Sequence, residues 1–183
     1  MNFLPFPELT TERLHLRRII ESDIDSMFAI RSNPEVMKYV PRALAKSNDD
    51  ALVHIRTIEE RIQSGTGINW AITIKGTTEM IGVIGHYRLE PENFRAEIGY
   101  MMLPQFHGKG YITEAVATVV RFGFDVMKLH SIEAVVHPNN VASARVLEKN
   151  KFLKEGHLRE NVFFEGRFVD SVYYSLLKKD LRS

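Results

Sequence analysis

The sequence predicts an α/β fold with a central mixed β-sheet flanked by helices, and three observations carry that reading. Apolar segments with strand alternation are interleaved with segments whose apolar residues recur at helical spacing. Three consecutive strand-like segments in the middle of the chain are joined only by short polar turns, which makes an antiparallel meander. A further strand-like segment follows a helix, so the sheet also contains a parallel pair. With 183 residues and no internal boundary, residues 1–183 are expected to form one domain.

The elements follow in order. Leu14 to Ile20 alternates Leu14 and Leu16 inward with His15 and Arg17 outward, as in a half-buried strand. Ser22 is the expected cap of a helix carrying Asp23 and Asp25 in its first turn, with Ile24, Met27 and Phe28 on one face and an end before Pro34. A second helix is expected from about Asp49 to Gln63, stopped by Ser64-Gly65-Thr66-Gly67. Ile68 to Lys75, Met80 to Arg88 and Ala96 to Leu103 read as the meander strands. A helix beginning near Tyr111 places Val116, Val119, Val120 and Met127 at helical spacing, and Ile132 to Val136 is the next strand. Pro138-Asn139-Asn140 then leads into a helix from Val141 to Lys149, and the tail reads as a hairpin, Leu158 to Phe164 with Phe168 to Leu177.

Between the third meander strand and its helix lies Gln105-Phe106-His107-Gly108-Lys109-Gly110. Glycines at 108 and 110 allow positive φ and close backbone approach to a ligand. Successive amides there can form an anion nest, reinforced by the positive end of the following helix, so the junction is suited to a pyrophosphate. It is neither a Walker P-loop nor a Gly-x-Gly-x-x-Gly dinucleotide turn, because the Gly-Lys-Ser/Thr order and the third glycine are both missing.

Composition narrows the partners. Lys plus Arg number 24 against 23 Asp plus Glu, a net charge of +1, so no overall field recruits nucleic acid or an anionic membrane. The absence of cysteine excludes disulfides, thiolate metal sites and a cysteine nucleophile, and the seven histidines lack His-x-x-x-His spacing, so no metal is expected. The N-terminal residues have no basic region before an apolar run, and no apolar segment reaches the roughly 18 residues of a membrane span. A cytoplasmic protein is expected; a homodimer stays open.

Three separated patches resemble the GNAT superfamily of acetyl-CoA-dependent N-acetyltransferases, in particular the RimJ/RimL-type branch that acetylates ribosomal-protein N-termini. They are Thr11-Glu12-Arg13-Leu14-His15-Leu16-Arg17; Glu97-Ile98-Gly99-Tyr100 with Gln105 to Ala115; and Asn140-Val141-Ala142-Ser143 with Val146 to Phe152, joined by Asp170 and Tyr174 in the tail. The family usually has Gly before the phenylalanine, where this chain has Lys151, and Asn150 is expected to take the left-handed position instead.

The resemblance implies acetyl-CoA as cosubstrate and assigns roles. Met101, Met102 and Leu103 would offer backbone hydrogen bonds to the pantetheine arm, and the amides of Gln105, His107, Gly108, Lys109, Gly110, Tyr111 and Ile112 would cradle the pyrophosphate, with Thr113 at the helix start. Asn140 would contact the cofactor arm besides capping its helix. Leu147 stands where many relatives have a proton-donating tyrosine, which leaves Ser143 as candidate donor to the CoA thiolate, against the plainer role of satisfying a backbone group. Glu97 is the candidate base, acting through water, against a strand-face ion pair with Arg88 or Arg95; Tyr174 and His137 are reserves. The acceptor is expected to be a protein N-terminal α-amine, with a polyamine, amino acid or aminoglycoside as the alternative, or a non-catalytic acyl-CoA-binding module. An α-amine is less basic than lysine, whose deprotonation would cost about 3 kcal/mol more.

Overall fold

The computed structural model describes residues 1–181 and assembles eight strands into one sheet. They are β1 (Leu9–Thr10), β2 (Leu14–Arg18), β3 (Ile68–Ile74), β4 (Gly82–Glu90), β5 (Arg95–Met102), β6 (Ser131–Val136), β7 (Leu153–Phe164) and β8 (Arg167–Leu177). The helices are α1 (Ile24–Ser32), α2 (Pro34–Met37), α3 (Asn48–Ser64), α4 (Tyr111–Asp125) and α5 (Val141–Lys149). The strand order is β1-β2-β3-β4-β5-β6-β8-β7, antiparallel throughout except for the parallel pair β5 and β6. This is the expected mixed sheet, with the meander and the parallel pair where the sequence puts them.

The apolar stripe of α4 packs on one face of the sheet. Phe122 meets buried Trp70 edge-on at 5.1 Å, and the Trp70 indole N–H donates to Pro7 O at 2.6 Å. His86, fully buried beneath the helix, is within 3.0 Å of Val119 O; burial lowers its pKa to about 4, so it is neutral. A Cβ at Gly123 would come within 2.9 Å of both the His86 ring and Ile132, so glycine is what lets α4 lie so close to β4 and β6. On the other face, Ile58 and Arg61 of α3 line one cavity together with Asn69, Val83 and Gly99.

Several boundaries differ from the sequence reading, each for a local reason. Ser22 is not the cap of α1: a 3-10 turn, Glu21–Asp23, comes first, and the buried Asp23 carboxylate accepts from the Ile20 amide at 2.9 Å and from Arg17 at 2.7 Å. The pull of Arg17 on Asp23 sets that corner. Pro34 ends α1 but also starts α2, because Asn33 accepts from the Glu35 amide and so caps a new turn. The strand β7 begins at Leu153, earlier than expected, since its first residues pair with the end of β8 although most of their side chains are exposed.

Asn150 does not take the left-handed position. Its φ is −95°, and Lys151 itself adopts φ 65°. The Phe152 amide donates to Leu147 O and the Lys151 amide to Glu148 O, both at 3.0 Å, which closes a Schellman end on α5 with lysine at the residue where glycine is favoured. The left-handed conformation costs a non-glycine residue roughly 1 kcal/mol. We therefore expect Lys151→Gly to raise the melting temperature by about 2–4 °C. A melting temperature at or below wild type in thermal denaturation would show that the lysine side chain contributes more than its strain costs.

Candidate active site

The strands β5 and β6 pair through Arg95 with Ser131, Ala96 with Ile132 and Glu97 with Glu133, and then they part. The β5 residues after Glu97 remain bonded only to β4, and the β6 residues after Glu133 only to β8. Leu103 donates to Ile81 O, so by antiparallel alternation the Met101 and Leu103 positions face β4, while Tyr100 and Met102 face the gap. The gap opens into a cavity of about 660 Å³ between α3, the α1–α2 segment and the tip of the β7–β8 hairpin.

The start of α5 is brought against this gap. Asn140 caps the helix, its side-chain oxygen accepting from the Ser143 amide at 3.1 Å. The Ser143 hydroxyl shares a 2.8 Å hydrogen bond with the Tyr100 hydroxyl, which bridges β5 and α5 across the split. Burial raises the Tyr100 phenol to about 12, so it holds its proton at neutral pH. The Ser143 hydroxyl is thus directed at a side chain rather than at a backbone group. Sequence reasoning missed Tyr100; the signal was a tyrosine beside Gly99 interrupting an apolar strand.

Glu97 lines the same cavity, 3% exposed, and both of its oxygens are engaged. The Tyr87 hydroxyl donates to one at 2.6 Å and Arg88 to the other at 2.8 Å. Burial and the neighbouring carboxylate push the Tyr87 phenol far above its ordinary range. The expected ion pair is present with Arg88, whereas Arg95 pairs with Glu90 instead. Of the reserves, His137 stacks on Tyr39 at the cavity wall, and Tyr174 is buried with its hydroxyl 3.5 Å from Glu148.

The turn before α4 has the conformation its glycines allow: φ is 74° at Gly108 and 80° at Gly110. The first α4 bond runs from the Glu114 amide to Gly110 O, and the amides of Gly108, Lys109, Gly110, Tyr111, Ile112 and Thr113 have no hydrogen-bond acceptor among the described residues. Two expected contributors are otherwise engaged. The His107 amide donates to Pro104 O and its ring contacts Met102 O, each at 2.9 Å, and Leu103 has its amide on Ile81 O and its carbonyl on the Phe106 amide. The His107 amide and the Leu103 carbonyl are taken by the 3-10 turn Pro104–Phe106, the Leu103 amide by the residue before β4 and the His107 ring by the end of β5. The Lys109 ammonium lies over the Phe106 ring at 5.5 Å.

A clasp from the segment before β2 fixes this turn. Arg13 donates to Lys109 O at 2.8 Å and pairs with Glu114 at 2.7 Å, and its guanidinium lies 4.8 Å from the centre of the Tyr111 ring. Glu114 also accepts from the Arg13 amide at 2.9 Å and from the Thr11 hydroxyl. These donors hold the Glu114 carboxyl below its ordinary pKa against the opposing effect of burial.

A sheet split at a parallel pair thus lies beside a turn with free amides at one helix start and a serine at the next. The profile of the acetyltransferase (GNAT) domain family matches residues 13–153, and the chain belongs to that family. It is 39% identical over 173 residues to the uncharacterized N-acetyltransferase YoaA of Bacillus subtilis, covering 94% of this chain and 98% of that protein. Two solved structures share the fold. One is RimL, the ribosomal L7/L12 alpha-N-protein acetyltransferase in complex with coenzyme A, with TM-score 0.84 and 20% identity, covering 93% of this chain and 98% of that one. The other is spermidine N-acetyltransferase from Vibrio cholerae in complex with CoA and spermine, with TM-score 0.81 and 21% identity, covering 93% and 98%. The protein is an N-acetyltransferase of the GNAT type that uses acetyl-CoA. The free amides at Gly108 to Thr113 fit the diphosphate of that donor.

Proposed function

We propose that this enzyme, with residues 1–183 as one domain acting in the cytoplasm, transfers acetyl directly from acetyl-CoA to the N-terminal α-amine of a protein, ribosomal proteins being the first class to test. The observation that carries this reading is the pair of unpaired strand edges facing the split, β5 after Glu97 and β6 after Glu133. Two edges accommodate two extended chains: the pantetheine arm at the Tyr100 and Met102 positions, and an acceptor peptide by strand addition.

In this scheme the Ser143 hydroxyl donates a hydrogen bond to the departing thiolate and passes it a proton while taking one back from water, so that the serine ends neutral, and Tyr100 positions the serine hydroxyl. The amine attacks the thioester carbonyl, the carbon–sulfur bond breaks, and the surplus amine proton leaves through water to Glu97, whose carboxylate Tyr87 and Arg88 hold in place. An α-amine, with a pKa of ~7.7–8.0 against ~10.4 for lysine, is already partly neutral near pH 7 and makes the smaller demand on that base.

The test offers acetyl-CoA with ribosomal-protein N-terminal peptides, the same peptides blocked at the N-terminus, and a panel of polyamines and aminoglycosides, with products identified by mass spectrometry. Acetylation confined to free N-termini is expected. Acetylated polyamines or aminoglycosides beside untouched peptides would overturn the acceptor assignment and leave the transferase standing.

A further inference from the structure

The cavity that receives the acceptor has one wall that the reaction scheme does not use. Arg31 at the end of α1, Arg42 in the segment after α2, and Arg61 near the end of α3 all line it, with His54 and Asn69 beside them. Arg31 and Arg61 are half-buried and Arg42 is exposed, whereas two other arginines have carboxylate partners: Arg17 has Asp23 at 2.7 Å and Arg88 has Glu97 at 2.8 Å. None of the three wall arginines has a carboxylate partner among the described residues, and the Arg31 guanidinium has only the Met37 sulfur, 3.8 Å away. Arg42 is close enough to act on Arg31, and all three are close enough to act on His54. Burial, and after it Arg42, lowers the Arg31 pKa, and burial together with all three arginines lowers His54 to about 4, so the histidine stays neutral near pH 7. Arg42 also acts on Tyr87, the partner of Glu97, so the cluster reaches toward the candidate base. Beside it the side-chain oxygen of Asn69 is buried without a hydrogen-bond partner.

Like charges gathered on one wall without carboxylate partners repel one another, and an anionic ligand relieves that repulsion; of the carboxylates that line the same cavity, Glu97 is paired with Arg88 and Asp170 with His157, and Glu165 lies at the turn of the β7–β8 hairpin. A cationic polyamine meets the opposite situation: its remaining ammonium groups would face the same guanidiniums. We infer that the acceptor carries an anionic group, a carboxylate or a phosphate, close to the amine that is acetylated, and that Arg31, Arg42 and Arg61 bind it. The inference deepens the acceptor assignment above. On a peptide, the anion is an acidic side chain within the first residues; on a small molecule, it is an amino acid carboxylate or a phosphate ester. The guanidinium fork suits either, since both present paired oxygens to paired N–H donors. The Asn69 oxygen is then placed to accept a hydrogen bond from an N–H of the same acceptor.

The experiment compares acceptors matched except for the anion: α-amino acids against their carboxamides, phosphoethanolamine against ethanolamine, and peptides with aspartate against lysine at the second residue, with spermidine alongside. For at least one pair the anionic member is expected to have at least tenfold higher kcat/KM. Arg42→Ala and Arg61→Gln should each erase most of that difference without changing acetyl-CoA affinity, and Arg42→Lys should restore part of it. Independently of turnover, inorganic phosphate or glutarate should raise the melting temperature of wild type more than that of Arg42→Ala. Equal kcat/KM within every pair, a preference for spermidine, or a preference that survives both substitutions would overturn the inference. So would a loss of acetyl-CoA affinity in the variants, which would make the wall a donor contact, or stabilisation by anions that ignores Arg42. Acetylation of anionic small molecules with untouched peptides would remove the peptide assignment and leave the arginine wall in place.

Discussion

Gly108→Asp is expected to fold like wild type and to lose the rise in melting temperature that acetyl-CoA confers. A donor held at a hundred times its dissociation constant stabilises the native state by about 2.7 kcal/mol. In a chain of this size that corresponds to a shift of roughly 5–10 °C. A Cβ at residue 108 has no atom within 4 Å, so the new side chain fits sterically, and aspartate tolerates positive φ better than most residues. The change is therefore electrostatic in character. A carboxylate about 5 Å from a phosphate at an effective dielectric of about 20 is repelled by roughly 3 kcal/mol, more than a hundredfold in affinity. Gly108→Asn supplies the same shape without the charge and should keep most of the shift. If the aspartate variant is stabilised by acetyl-CoA as much as wild type, the turn does not hold the diphosphate.

Ser143→Ala is expected to lower kcat by about 10² to 10⁴, the usual contribution of a positioned proton donor, while acetyl-CoA still binds. An interaction made only as the thiolate leaves is lost from kcat and not from ground-state affinity. The cap of α5 belongs to Asn140, which accepts from the Ser143 backbone amide, so alanine leaves the helix end intact. Tyr100→Phe should lower kcat by less, and in the Ser143→Ala background it should cost little more, because the tyrosine acts through the serine. Steady-state kinetics, donor titration and thermal melts separate the outcomes. Unchanged kcat with a lower melting temperature in Ser143→Ala would return the serine to a purely structural role.

Much of this site is legible in the letters because each signal is local. Gly108 and Gly110 announce positive φ, the run after Gly110 announces a helix start, and Asn140 announces a cap; all three depend on neighbours within a few residues. The meander is legible for the same reason, since short turns leave its strands only adjacent partners. What the sequence hides is contact across distance. Tyr100 is only an aromatic in a strand until the split brings Ser143 to it, 43 residues on. Arg17 capturing Asp23 displaces Ser22 from its expected cap, and nothing in the local pattern shows that the pair is buried. The family resemblance makes His107 a phosphate ligand, yet the 3-10 turn before it takes its amide and the end of β5 takes its ring. The arginine wall is assembled from three separate segments, and no window of sequence contains it.

The clasp of Arg13 and Thr11 on Glu114 bears on how the molecule matures. Its partners are 101 and 103 residues apart in the chain. Closing a loop of that length costs about 4 kcal/mol of chain entropy, more than exposed ion pairs return. The clasp therefore closes only after β2, β3 and the sheet beneath α4 have already brought its ends together. During synthesis from the N-terminus, Arg13 emerges long before the turn it will grip. The turn Gly108 to Gly110 is thus expected to be held in its final shape only once the strands beneath it have paired.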